Sequence, residues 1–151
     1  MDCFVTNRDR FLNRWPTRKG EEWFMDKFSV ISIQSPPTPW NAGSLSKLDE
    51  RWTDSIVLEF HDILPNDTVD RPYILFSEQM ASKLFEFISK RGNGRSFLVH
   101  CDAGMSRSVA VGMFIKEYYN YFLHLEVAQD CSAYNVHVFN LLRRQWMQKE
   151  G

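Results

Sequence analysis

The residues with the most chemistry in this 151-residue chain lie together, from Val99 to Ser108, in the order Val-His-Cys-Asp-Ala-Gly-Met-Ser-Arg-Ser. Phe97-Leu98-Val99 reads as a short buried strand, and from Arg107 the apolar residues Val109, Met113, Phe114 and Tyr118 follow a helical spacing. Cys101 therefore falls between a strand end and a helix start. Successive backbone N–H groups in such a turn form an anion nest, and the helix N-terminus adds partial positive charge. A thiol in that setting gives up its proton readily, and the thiolate is the nucleophile. Gly104 gives the loop the backbone freedom to crowd its amides around an anion. Arg107 follows Cys101 by six residues, a reach at which the guanidinium can face the thiolate across one phosphate and grip two oxygens at once. Ser106 and Ser108 are hydroxyl donors for the loop or the thiolate. The phosphate-binding segment is thus Asp102, Ala103, Gly104, Met105, Ser106 and Arg107, with His100 and Ser108 in support.

A nucleophilic cysteine inside an anion cradle suits transfer of a phosphoryl group to sulfur, followed by hydrolysis. Neither a metal nor a cofactor is called for. The leaving oxygen needs a proton, and an acidic side chain on a nearby loop is the ordinary source. Asp62, Asp67 and Asp70 all lie in the polar segment HDILPNDTVDRP, so residue type alone leaves three candidates.

The segment HCDAGMSRS resembles the His-Cys-x5-Arg-Ser signature of cysteine-dependent protein tyrosine phosphatases. Its Ala-Gly-x-Ser-Arg-Ser core is most similar to the dual-specificity branch, and the order of elements over roughly residues 28–147 follows that branch too. The resemblance implies Cys101 as nucleophile, Arg107 as phosphate clamp and His100 as a residue ordering the loop from beneath. It places the general acid just after the strand Ile56–Phe60, which selects Asp62. It also implies a phosphorylated protein or peptide as partner, carrying phosphotyrosine and in some cases phosphoserine or phosphothreonine. The tyrosine-specific branch usually has a long recognition region before the sheet and a glutamine-bearing loop after the signature, and neither is evident here.

Two other functions compete. A non-catalytic phosphopeptide-binding module would have lost the nucleophile or the acid, yet Cys101, Arg107 and Asp62 are all present. A phosphatase of phosphoinositides or RNA 5′-triphosphate tends to carry lysines inside the loop, where this chain has Asp102 and Met105. Lys47 and Lys90 are the distant lysines that such an activity would have to bring to the pocket rim.

The remaining sequence must position this loop. Phe4–Thr6 reads as a first strand, with a helix starting at Asn7-Arg8-Asp9 and stopped by Pro16. Phe28–Ile33 and Ser55–Phe60 read as strands, and residues 40–54 as a loop region with room for a short helix. Ser77 caps a helix whose buried face is Met80, Leu84, Phe87 and Ile88, and a last helix begins near Asn135. The expected fold is a single α/β domain over residues 1–151, with a central, mostly parallel sheet flanked by helices and the strand–loop–helix cradle at its heart.

Composition agrees with this class. Hydrophobic residues make up 44% and charged residues 25%, close to ordinary globular usage. A net charge of -1 provides no field for nucleic acid or an anionic membrane. Cys3, Cys101 and Cys131 cannot build a disulfide framework, and without a CxxC pair a structural zinc is unsupported. The charged N-terminus lacks the apolar stretch of a leader. The expectation is a monomeric cytoplasmic enzyme whose thiol stays reduced. Cys3 and Cys131 are expected to be plain thiols, and His61, His124 and His137 surface or helix residues.

Overall fold

The computed structural model describes residues 1–17, 22–67 and 72–150. Five strands form one sheet: β1 (Asp2–Asn7), β2 (Phe28–Gln34), β3 (Ser55–Glu59), β4 (Ser96–Cys101) and β5 (Phe122–Leu125). Their order is β3-β2-β4-β1-β5, and every pairing is parallel. The helices are α1 (Arg8–Asn13), α2 (Glu78–Arg91), α3 (Arg107–Tyr119) and α4 (Val136–Glu150). Two 3₁₀ turns, Glu22–Lys27 and Gly92–Gly94, precede β2 and β4.

Strand alternation divides the core in two. Cys3, Val5, Ile31, Ile33, Phe97, Val99 and Cys101 point into the larger layer, packed with Leu84 and Ile88 of α2, Val111 and Phe114 of α3, and Val138 and Leu142 of α4. Val30 and Leu98 point the other way, into a smaller cluster with Phe11 of α1, Trp15, Met25 and Trp52. The two caps expected from the sequence are present: Asn7 accepts from Arg10 N and Ser77 from Met80 N.

Two differences from the sequence reading concern elements. β5 follows α3 after a left-handed Asn120 (φ +61°). It is four residues long and lies at the sheet edge, where Phe122 and His124 face out, so it lacks the apolar run of a buried strand. Residues 40–54 form no helix. Thr38 and Asn41 instead pair as an isolated bridge, and a turn at Gly43 (φ +76°) brings Ser44 back to Ser35.

Parallel strands all end at one edge. Chain leaving β2 turns towards β3, and chain leaving β4 passes through α3 towards β5 on the other side of the sheet. Divergence of this kind opens a crevice at the carboxyl ends of the strands, the usual place for a ligand in an open α/β sheet. No helix among the described residues is long and apolar enough to cross a membrane.

Candidate active site

The crevice holds the loop singled out by the sequence. Cys101 ends β4 and Arg107 begins α3, with residues 102–106 between them. Gly104 has φ +70°, and a Cβ there would come within 2.9 Å of the Thr6 and Asn7 backbone. The loop thus lies against the end of β1, where Arg8 N also donates to Asp102 O at 3.2 Å. Only glycine fits this combination of positive φ and close approach.

Because neighbouring residues on a strand face opposite ways, His100 and Cys101 sit in different layers. The Cys101 Sγ lies 2.9 Å from the Ser108 Oγ, both residues being buried. Ser106 does not cap α3 with its side chain, and its hydroxyl donates to Asp62 Oδ1 at 2.7 Å. The first-turn amides of α3, which have no partner within the helix, are therefore not taken by that side chain.

His100 lies beneath the loop, stacked on Phe11 at a centroid distance of 4.1 Å. A carbonyl only accepts, so Nδ1 donates to Cys101 O at 3.3 Å, which leaves Nε2 to accept from the Ser32 hydroxyl at 2.7 Å. Burial is the main cause of a lowered His100 pKa, about 4. The ring is therefore neutral at pH 7: it orders the loop and brings no positive charge to it.

Arg107 is 4% exposed. Its Nη1 donates to Phe60 O (2.6 Å) and Ser35 Oγ (3.0 Å), and its Nη2 to Asp102 Oδ2 (3.1 Å). Its Nε is buried without a partner among the described residues. The sequence places Asp102 in the phosphate-binding segment, but its carboxylate is turned onto Arg107 and Ser35. Burial pushes the Asp102 carboxyl up, but the Ser35 and Ser44 hydroxyls and the Arg107 guanidinium outweigh it and hold the group below the usual carboxylate range. Ala103 and Met105 are exposed on the loop surface.

Of the two candidate acids among the described residues, Asp62 is the one placed against the loop. Its Oδ1 accepts from Ser106 Oγ and, at 2.9 Å, from Asn135 Nδ2. Asp67 closes a local turn, its Oδ2 accepting from Leu64 N at 2.8 Å, though it lines the same cleft of about 220 Å³ as Asp62 and Ser106. Asp70 lies outside the described residues.

Asn135 escaped the sequence reading as a site residue. It is 4% exposed and ties three parts together: its Nδ2 reaches Asp62 and Ile63 O, its N donates to Ser106 O, and its Oδ1 caps α4 through Val138 N. An asparagine before a predicted helix was visible as a cap, but nothing local marked its contact with the loops.

His61, expected near the surface, is buried: its Nδ1 accepts from Ile74 N and its Nε2 donates to Pro36 O. It fastens the start of the segment after β3 to the segment after β2. His137 donates to Phe76 O, and exposed His124 pairs with Asp2. Burial raises the thiol pKa of both Cys3 and Cys131.

No family model matches the chain, and neither does any curated protein. Among solved structures, "Crystal structure of Tk-PTP in the active form" is similar over 96% of this chain and 80% of that one, with 14% identity and a TM-score of 0.43.

Proposed function

We propose that the protein is a phosphatase that hydrolyses phosphate monoesters through a cysteinyl-phosphate intermediate, acting on phosphotyrosine in proteins or peptides and, as a dual-specificity enzyme, on phosphoserine and phosphothreonine. One observation carries the reading: a cysteine at a strand end, with a serine hydroxyl 2.9 Å from its sulfur, shares a short loop with a buried arginine whose Nε has no partner among the described residues.

In the first step the Cys101 thiolate attacks phosphorus, and the bond to the ester oxygen breaks. That oxygen takes the proton of Asp62 and leaves as the alcohol. In the second step water attacks phosphorus and gives a proton to the Asp62 carboxylate. The S–P bond breaks, inorganic phosphate forms and Cys101 returns as thiolate. Arg107 and the loop amides balance the charge of the equatorial oxygens in both steps. The Ser108 hydroxyl donates to the departing thiolate.

None of the loop side chains from Asp102 to Ser106 is a cation that could meet a second phosphate. This supports phosphotyrosyl peptides over phosphoinositides or RNA 5′-triphosphate ends, and a side-by-side kcat/KM comparison in which a phosphoinositide wins would reverse that preference. The enzyme class is tested with a small aryl phosphate. Wild type should turn it over and be inhibited by vanadate, whereas Cys101→Ser should lose turnover by several orders of magnitude and still bind phosphate. Near-wild-type activity in that variant would exclude the covalent route.

A further inference from the structure

We propose that Asp102 and Ser35 are positioning residues: together they hold one edge of the Arg107 guanidinium so that its other edge is presented to the phosphate. This deepens the phosphatase reading and rests on it.

A guanidinium has five N–H groups. Both hydrogens of Nη1 are engaged, with Phe60 O and Ser35 Oγ. One hydrogen of Nη2 is engaged with Asp102 Oδ2. Ser35 Oγ passes its own hydrogen to the same Oδ2 at 2.5 Å. Nη1, Oγ, Oδ2 and Nη2 therefore close a ring across the end of the fork. What remains is Nε–H and the second hydrogen of Nη2, which lie on the same side edge of the guanidinium plane. Nε is buried and has no partner among the described residues. The guanidinium Cζ lies over the Phe60 ring, 5.9 Å from its centroid. Two parallel N–H groups on one edge are what a tetrahedral oxyanion accepts bidentately.

The holder is a product of strand register. β2 and β4 pair in parallel with Ser32 opposite His100, which sets Gln34 level with Asp102, and Ser35, the next residue, reaches Asp102 from just beyond β2. Ser35 is fixed in turn, its N donating to Ser44 Oγ at 2.8 Å.

Simple electrostatics makes the opposite claim. A carboxylate beside an anion site repels the anion, so removing it should tighten binding. The two accounts predict different signs. Inorganic phosphate binding is measured by calorimetry in the Cys101→Ser background. Adding Asp102→Ala should weaken binding about 10-fold, through loss of the oriented fork. Adding Asp102→Asn, which keeps an oxygen for Nη2, should stay within about 3-fold. Ser35→Ala should fall between the two. With Arg107→Lys also present, Asp102→Ala should leave phosphate binding unchanged or tighten it, because an ammonium has no edge to orient. A structural defect alone would weaken binding in both backgrounds. Tighter binding on Asp102→Ala with Arg107 intact overturns the proposal, as does the same loss in both backgrounds. If Asp102→Ala does not fold, Asp102→Asn and Ser35→Ala still order the outcomes, and tighter binding in either overturns it.

Turnover separates the two proposals. Wild type failing on aryl phosphate, with phosphate binding following the pattern above, overturns the phosphatase reading and keeps the positioning role. Wild-type turnover with an unchanged kcat/KM in Asp102→Ala overturns the positioning role alone. Failure of Cys101→Ser to bind phosphate overturns both.

Discussion

Two arginines at opposite edges of the sheet use their guanidinium groups in opposite ways. At the amino edge, Arg91 spends its side edge on a protein carboxylate: Nε donates to Asp54 Oδ2 at 2.7 Å and Nη2 to Asp54 Oδ1 at 2.5 Å, while Nη1 takes Phe87 O. Ser29 and Arg95 complete that cluster, Ser29 donating to Asp54 and Arg95 lying 3.4 Å from it. At the carboxyl edge, Arg107 is held by the end of its fork and its buried Nε is unpaired among the described residues. A closed pair ties β2, β3, α2 and β4 together. An open one is suited to a ligand, because an unpaired buried N–H is costly until something accepts it. The same residue type therefore does structural work at one edge and is available for chemistry at the other.

The largest effect expected at the open edge is that of the acid. Asp62→Asn should lower kcat/KM about 10²–10⁴-fold, most for poor leaving groups, and flatten the basic limb of the pH–rate profile. Asp67→Asn should do neither. If Asp67→Asn shows that signature and Asp62→Asn does not, the acid is misplaced.

Next come the arginines themselves. Arg107→Lys keeps the charge and loses the fork, and should cost about 10²–10³-fold in kcat/KM with little change in melting temperature. Arg91→Lys should do the reverse, with kcat/KM held within about 3-fold and a lower melting temperature. Equal losses of activity in both variants would erase the distinction between the edges.

The two edges should also differ in their dependence on pH. His100 has its pKa lowered to about 4 in the fold, whereas an unfolded histidine titrates near its ordinary 6.5. Below that ordinary value the unfolded chain binds the proton more readily, so the His100 contribution is fully present above pH 6.5. It falls away as pH drops towards 4, by about 3 kcal/mol in all. Asp54 is lowered chiefly by its hydrogen bond from Arg91. Its contribution is present above the ordinary carboxylate value and is lost only as pH falls further, through the depressed one. Urea melts from pH 8 to 3 should therefore show two losses, of which His100→Gln removes the upper and Asp54→Asn the lower. An unchanged upper loss in His100→Gln would mean another group supplies it.

The smallest effect is expected where the edge cluster is simply dismantled. At pH 7, Asp54→Asn should cost about 1–3 kcal/mol, since charge-assisted hydrogen bonds are weakened in a partly exposed site. Activity should be retained; a loss of turnover at native temperatures would mean that the amino edge shapes the crevice.

What the sequence determined on its own was short in range. The strand at Phe97–Val99, the helix from Arg107 and the six-residue step from Cys101 to Arg107 are local facts, set by alternation, periodicity and chain reach. So are the caps at Asn7 and Ser77 and the parallel α/β class. β5 escaped because a four-residue edge strand with alternate residues in water carries too weak a pattern. Tertiary structure alone decided which side chains meet. Ser106 and Asp62 are 44 residues apart, Asp62 and Asn135 73, Ser35 and Asp102 67, and Ser35 and Arg107 72. A polar residue's composition does not say which distant partner takes its hydrogen bond; strand order and register do, by setting which loop ends converge on one edge of the sheet. That is why Cys101 and Arg107 are readable as a pair, while the contact of Asp102 with Ser35 and Arg107 belongs to the tertiary structure.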